Sequence, residues 1–214
     1  IVEYLLQFHP KMIVIACNTA TAVAIDEIRA RMNIPVVGVI HPGARAAIKT
    51  TRNQSVGVIG TEGTVKSQAY EMALRQISPS IQVVSKACPQ FVPLVERGLF
   101  DTKETRQAVK ESLADLKDSP MDCLILGCTH YPFLADVIAE AMGPNVSLIS
   151  SADETAREVS TILYHKGMLA TSTMLPVHQF FCSGDPVMFR KIAQNWLNEQ
   201  IRVTPVVWQG PNIS

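Results

Sequence analysis

The sequence has no surplus of either charge: 19 Lys and Arg residues stand against 19 Asp and Glu, for a formal net charge of zero. Binding through phosphate neutralisation normally shows as a basic excess, so a nucleic-acid partner is not expected. No apolar run approaches the ~20 residues of a membrane-spanning helix, so no membrane partner is expected either. The opening segment 1–8 lacks the basic stretch and small-residue cleavage site of a signal peptide. Cysteine is scarce and odd in number, five in 214 residues. That argues against a secreted disulfide scaffold and for reduced thiols in the cytoplasm. Cys123, Cys128 and His130 resemble part of a zinc set, but no second Cys/His pair at finger spacing follows, so no metal is expected. Low-complexity segments and long linkers are missing as well. What remains is a chain that is 47% hydrophobic and only 18% charged. Its length suits one large domain or two small ones with a sizeable core.

Short apolar runs alternate with longer amphipathic stretches. Runs 12–16, 35–40, 55–59, 81–84, 123–126, 146–149 and 179–182 read as strands. Stretches 20–32, 44–50, 64–77, 93–97, 103–116, 133–142, 152–166 and 186–198 read as helices. The strands lack period-two alternation, which marks sheet covered on both faces. The expected class is therefore α/β, with parallel sheet between helices. His41, ahead of Pro42-Gly43, reads as a turn residue at a domain crossing.

The chain also echoes itself. Ile13-Val-Ile-Ala-Cys17-Asn-Thr-Ala resembles Leu124-Ile-Leu-Gly-Cys128-Thr-His-Tyr. Each is a buried strand, a small residue, a cysteine and then hydrogen-bonding residues before a helix. This predicts two pseudo-symmetric α/β halves, each presenting a cysteine at the carboxyl end of a strand, where open α/β sheets bind ligands. A thiol before a helix N-terminus sits in a field that favours thiolate. Two such thiols facing one substrate could remove a proton from one face and deliver one to the other, inverting a stereocentre. They could also form a redox disulfide, although no Cys-x-x-Cys is present. Asn18, Thr19, Thr129 and the adjoining backbone N–H groups can grip a carboxylate and an ammonium. Gly60-Thr61-Glu-Gly-Thr64 follows a strand and opens a helix, and suits a side-chain carboxylate better than a nucleotide. His130 could orient Cys128 or act as its acid, and Glu96 could polarise His130. Cys123 and Cys182 read as core, and Cys88 as a loop thiol.

Taken together, Ile15-Ala-Cys17-Asn-Thr-Ala-Thr-Ala22, Ile34-Pro-Val-Val-Gly-Val-Ile40, Val58-Ile-Gly-Thr-Glu-Gly-Thr64, Ala87-Cys-Pro89, Phe91-Val-Pro-Leu-Val-Glu96 and Leu126-Gly-Cys-Thr-His-Tyr-Pro132 resemble the glutamate racemase family. The resemblance covers nearly the whole chain and keeps motif order. It implies two α/β domains with the active site in the cleft between them, residues 40–151 forming one and 1–39 plus 152–214 the other. It implies a cofactor-independent interconversion of L- and D-glutamate that supplies peptidoglycan, in a bacterial cytoplasmic homodimer. Cys17 and Cys128 match the two catalytic cysteines. Asn18, Thr19, Thr61, Thr64, Thr129 and His130 match substrate-binding positions, and Glu96 and His130 match groups that tune Cys128. One departure stands out. Family members carry an opening strand with Asp-Ser-Gly-x-Gly-Gly and a Tyr-Gly segment ahead of the first cysteine, and only 16 residues precede Cys17 here. The resemblance therefore implies an absent opening strand. The alternatives are an aspartate racemase or related isomerase, an inactive racemase-like binding module and a thiol oxidoreductase.

Overall fold

Apolar runs too short for a helix become the strands, and the amphipathic stretches between them cover both sheet faces. The computed structural model describes residues 1–210 and 212–213. In chain order, α1 (Val2–Leu6) precedes β1 (Ile13–Ile15), α2 (Asn18–Arg31), β2 (Val36–Gly38) and α3 (Ile40–Thr50). There follow β3 (Ser55–Gly60), α4 (Glu62–Lys66), α5 (Ala69–Ile77), β4 (Gln82–Ala87), α6 (Phe91–Glu96) and α7 (Lys103–Leu113). Then come β5 (Cys123–Gly127), α8 (Ala135–Met142), β6 (Ser147–Ile149) and α9 (Ala152–His165). The last described elements are β7 (Phe180–Cys182), α10 (Pro186–Leu197), β8 (Val203–Pro205), β9 (Trp208–Gln209) and β10 (Asn212–Ile213).

The chain forms two compact units, residues 12–168 and residues 1–11 with 169–214. The larger unit holds a four-stranded parallel sheet of order β4-β3-β5-β6 and a separate parallel pair, β1-β2. All six residues of β3 and all five of β5 are buried, as central strands between two helical layers must be. Their side chains divide by parity. Leu124 and Leu126 join Phe91, Leu113, Tyr131 and Ile138 on one face. Cys123 and Ile125 join Val56, Val58, Tyr70 and Leu74 on the other. Truncating a fully buried leucine such as Leu124 to alanine would cost about 2–5 kcal/mol. β4 lies at the sheet edge, and its mixed exposure matches that position. The smaller unit pairs β7 with β8 in parallel and β9 with β10 antiparallel. Its α10 is capped by Asp185, which accepts from Val187 N–H at 2.8 Å and is followed by Pro186 in the first turn.

Several boundaries differ from the sequence reading. His41 is not a turn residue: α3 begins at Ile40, and Pro42 falls in its first turn, where a missing N–H costs nothing. The stretch 64–77 is two helices rather than one, because Gln68 takes a left-handed conformation (φ 55°) that interrupts the ladder. Residues Tyr131–Leu134 form a 3-10 turn before α8 begins. Cys88 lies in the loop between β4 and α6, as expected, but it is fully buried there, and burial pushes its thiol up to about 12. Cys182 is half-buried in β7, and Cys123 is buried in the sheet core, its thiol also pushed up to about 12. Among the described residues, no helix is long and apolar enough to cross a membrane.

Candidate active site

Parallel pairing brings the carboxyl ends of neighbouring strands to one side of the sheet. Gly60 and Gly127 are register partners at the ends of β3 and β5, so the loops carrying Thr61 and Cys128 leave side by side. The close approach needs glycine. A Cβ on Gly127 would stand 2.7 Å from the Ile59 carbonyl oxygen. Cys17 leaves the carboxyl end of β1 and is the N-cap of α2, in extended backbone (φ −83°, ψ 128°). Its Sγ accepts from the Ala20 N–H at 3.5 Å, one of the donors a helix start leaves without an intrahelical partner. Thr21, one turn into α2, ties this corner together. Its hydroxyl donates to the Ile15 carbonyl at 2.9 Å and accepts from Val39 N–H at 3.4 Å. Gly38 makes room for it, since a Cβ there would meet Thr21 Cγ2 at 2.4 Å.

Three hydroxyls gather beside this corner. Thr19 Oγ1 lies 2.8 Å from Thr61 Oγ1 and 2.9 Å from Thr64 Oγ1, and the last two are 3.1 Å apart. Thr61 is also the N-cap of α4, accepting from Thr64 N–H at 3.3 Å. Gly63 permits the contact, because a Cβ there would stand 2.9 Å from Thr19 Cγ2. The sequence motif Gly60–Thr64 and the segment after Cys17 thus converge on one polar patch.

Cys128 has a different setting. It is buried, and His130 Nδ1 lies 3.8 Å from its Sγ. The other ring nitrogen, Nε2, lies 3.4 Å from Glu96 Oε1, at the end of α6. Glu96, His130 and Cys128 therefore form one line of contacts. Burial pushes the Cys128 thiol above its ordinary value. The backbone N–H groups of His130 and Tyr131 and the Thr129 side chain pull it down, and the charge of nearby Cys17 pushes it up. The expected thiolate-favouring field is thus outweighed at Cys128 by desolvation.

A cavity of about 360 Å³ opens next to Cys128 and Thr129 and reaches Asn18, Val14, Ser151 and Val159. Its walls are mostly apolar. Of the residues singled out from the sequence, Asn18, Cys128 and Thr129 line it, whereas Cys17, Thr19, Thr61, Thr64, His130 and Glu96 lie outside its lining. Helix α9 supplies Thr155 and Val159, and its N-cap position supplies Ser151; sequence reasoning had assigned none of them a part in the site. It is held to α3 by the Arg45–Glu158 ion pair and by Lys49 to Glu154 at 3.2 Å. Tyr70, fully buried behind Asn18, was also missed: in the sequence it is one apolar position on an amphipathic helix. Cys123 and Cys128 stand at opposite ends of β5, about 16 Å apart along a strand, too far to share a metal ion.

Residues 2–159 match the profile of the Asp/Glu/Hydantoin racemase family. The chain belongs to that family. Among individual relatives, it is 53% identical over 199 residues to a glutamate racemase from Bacillus cereus, covering 93% of this chain and 74% of that one. Its structure superposes on a crystal structure of a glutamate racemase isoform from Bacillus anthracis with a TM-score of 0.92 at 49% identity. That match covers 96% of this chain and 77% of the other. A glutamate racemase from Francisella tularensis, solved in complex with D-glutamate, matches with a TM-score of 0.88 at 30% identity. Here the coverage is 97% of this chain and 76% of the other. Within the racemase family the chain therefore groups with the glutamate racemases, which are isomerases, and the α/β class expected from the sequence is the observed one.

Proposed function

We propose that this chain interconverts L- and D-glutamate by proton transfer between two thiols, Cys17 and Cys128, without a cofactor. The observation that carries the reading is the pair itself. Both cysteines lie in the larger unit, each just past the carboxyl end of a parallel strand. In one direction a Cys17 thiolate removes the Cα proton while the Cys128 thiol delivers its proton to the opposite face. The two sulfurs then exchange protonation states, and the reverse direction starts from that exchanged state. The Cα proton of an amino-acid zwitterion is weakly acidic, so developing carbanion charge needs preplaced donors at the α-carboxylate. Asn18, Thr129 and the N-terminal N–H groups of α2 are suitable. The hydroxyl cluster of Thr19, Thr61 and Thr64 suits the second carboxylate, and His130, supported by Glu96, adjusts Cys128.

The solved relative that holds D-glutamate supports this substrate over aspartate. The bacterial sources of the relatives support a role in supplying D-glutamate to peptidoglycan. Five free cysteines fit a reducing compartment such as the cytoplasm. The domain division at residues 39/40 and 151/152 is also proposed. In its favour, the four-stranded sheet falls wholly within 40–151, while β1 and β2 pair separately. The test is circular dichroism and Cα deuterium incorporation of L-glutamate in deuterium oxide, with Cys17→Ala and Cys128→Ser as controls. Loss of optical signal with deuterium at Cα, abolished by either change, is expected. Turnover that survives both changes would overturn the two-thiol reading.

A further inference from the structure

Asn18 follows Cys17 directly and is 3% exposed, yet it lines the cavity beside Cys128. Its carboxamide has two unlike ends. The oxygen accepts from the Tyr70 hydroxyl at 2.7 Å, a contact joining residues 52 positions apart. Among the described residues, no acceptor meets the Nδ2 amino group, and that group is not sealed off from solvent. Tyr70 is fully buried on α5. A buried phenol must find an acceptor, because leaving its O–H unpaired is costly. Its surroundings are tight. A Cβ on Gly43 would stand 3.1 Å from the Tyr70 oxygen, and one on Gly127, next to Cys128, would stand 3.2 Å from its ring. The ring therefore cannot swing away, and its oxygen has two partners: it donates to Asn18 Oδ1 and also meets the Ser151 side chain.

An amide can rotate by half a turn with little change in shape, and the two orientations offer opposite polarity to whatever sits in front of it. A hydroxyl anchored behind it decides which is adopted. We infer that Tyr70 is a positioning residue: its hydroxyl holds the Asn18 carbonyl oxygen, so that the Nδ2 donor and not the acceptor faces the cavity beside Cys128. An anionic carboxylate there meets a donor without any reorganisation of the protein. This inference rests on the proposed glutamate chemistry for what occupies the cavity, but not for the orientation of the amide.

Two measurements test it. In the ligand-free, 15N-labelled chain, the Asn18 side-chain amide pair, identified by its loss in Asn18→Ala, should move in Tyr70→Phe. An unmoved pair would overturn the inference whether or not the chain is a racemase. The second is D-glutamate affinity, by titration calorimetry, of the wild type, Tyr70→Phe, Asn18→Ala and the double variant. Tyr70→Phe should weaken binding about tenfold. In the Asn18→Ala background the same change should have no further effect, since there is no amide left to orient. Equal losses in both backgrounds would mean that Tyr70 acts through packing or through Ser151, and would overturn the inference. Failure of the glutamate reading would show separately, as wild-type chain that exchanges no deuterium into glutamate.

Discussion

Cys17 and Cys128 follow the same local pattern and end in opposite surroundings. Cys17 is exposed and caps a 14-residue α-helix, with its sulfur on the Ala20 N–H and threonine hydroxyls close by. Cys128 is buried at the end of a central strand, leads into a four-residue 3-10 turn, and has an imidazole and a carboxylate in line behind it. Equal motifs thus do not give equal thiols. A long helix start can offer several N–H groups to a sulfur, whereas burial raises the cost of thiolate and leaves neighbouring donors only to offset it. For a two-way proton transfer this division is workable. Each thiol needs a different kind of support to exchange roles with the other.

The largest effect should come from removing either sulfur. Cys17→Ala and Cys128→Ala should each lower Cα deuterium exchange by about 10²–10⁴-fold, and a variant with wild-type exchange would break the pairing. The contrast in burial should appear next, in the order of alkylation by iodoacetamide followed by peptide mass mapping. Cys17 should react first. Cys128 should react with a pH midpoint above the ~8.5 of a free thiol, because desolvation raises it.

A related effect concerns stability. Cys88 and Cys123 sit at about 12 in the folded chain, above the unfolded value near ~8.5. Their contribution to stability is complete below that unfolded value and is lost as pH rises towards 12. The urea midpoint should therefore fall across that window, and a flat profile would count against buried neutral thiols. A smaller change tests the hydroxyl cluster. Thr19→Val should raise KM for glutamate about tenfold while leaving the fold intact by far-ultraviolet circular dichroism. Glu96→Gln should have the smallest effect, below about fivefold in kcat. Glu96 is 55% exposed, and solvent-exposed pairs contribute little. A large loss there would make the His130–Glu96 contact a stronger part of the Cys128 support than its exposure implies.

Much of this was legible in the residues. Strand runs such as 55–59 and 123–126 are short, apolar and bounded by glycine or turn residues, so their state depends little on distant contacts. The two cysteine motifs declared themselves as a pair: one buried thiol is usually a small core hydrophobe, but two at equivalent places before polar helix starts are not explained by packing alone. Other features gave no local signal. The left-handed Gln68 that separates α4 from α5 is not a glycine or asparagine. Tyr70 looks like any apolar position of a helix until Asn18, 52 residues earlier in the chain, is seen to accept from it. Ser151 and Thr155 look like the capped start of a surface helix, and only the packing of α9 on α3 brings them to the cavity.

The sequence by itself determined the alternation of strands and helices, the class of the fold, the two thiols and the polar residues beside them. These follow from periodicity, chain stiffness and residue chemistry over a few neighbours. Only the tertiary structure decided which thiol is buried, which hydroxyls meet and which end of the Asn18 amide faces the cavity. Desolvation and hydrogen-bond direction depend on groups that arrive from distant parts of the chain, and those meet only once the sheet has formed.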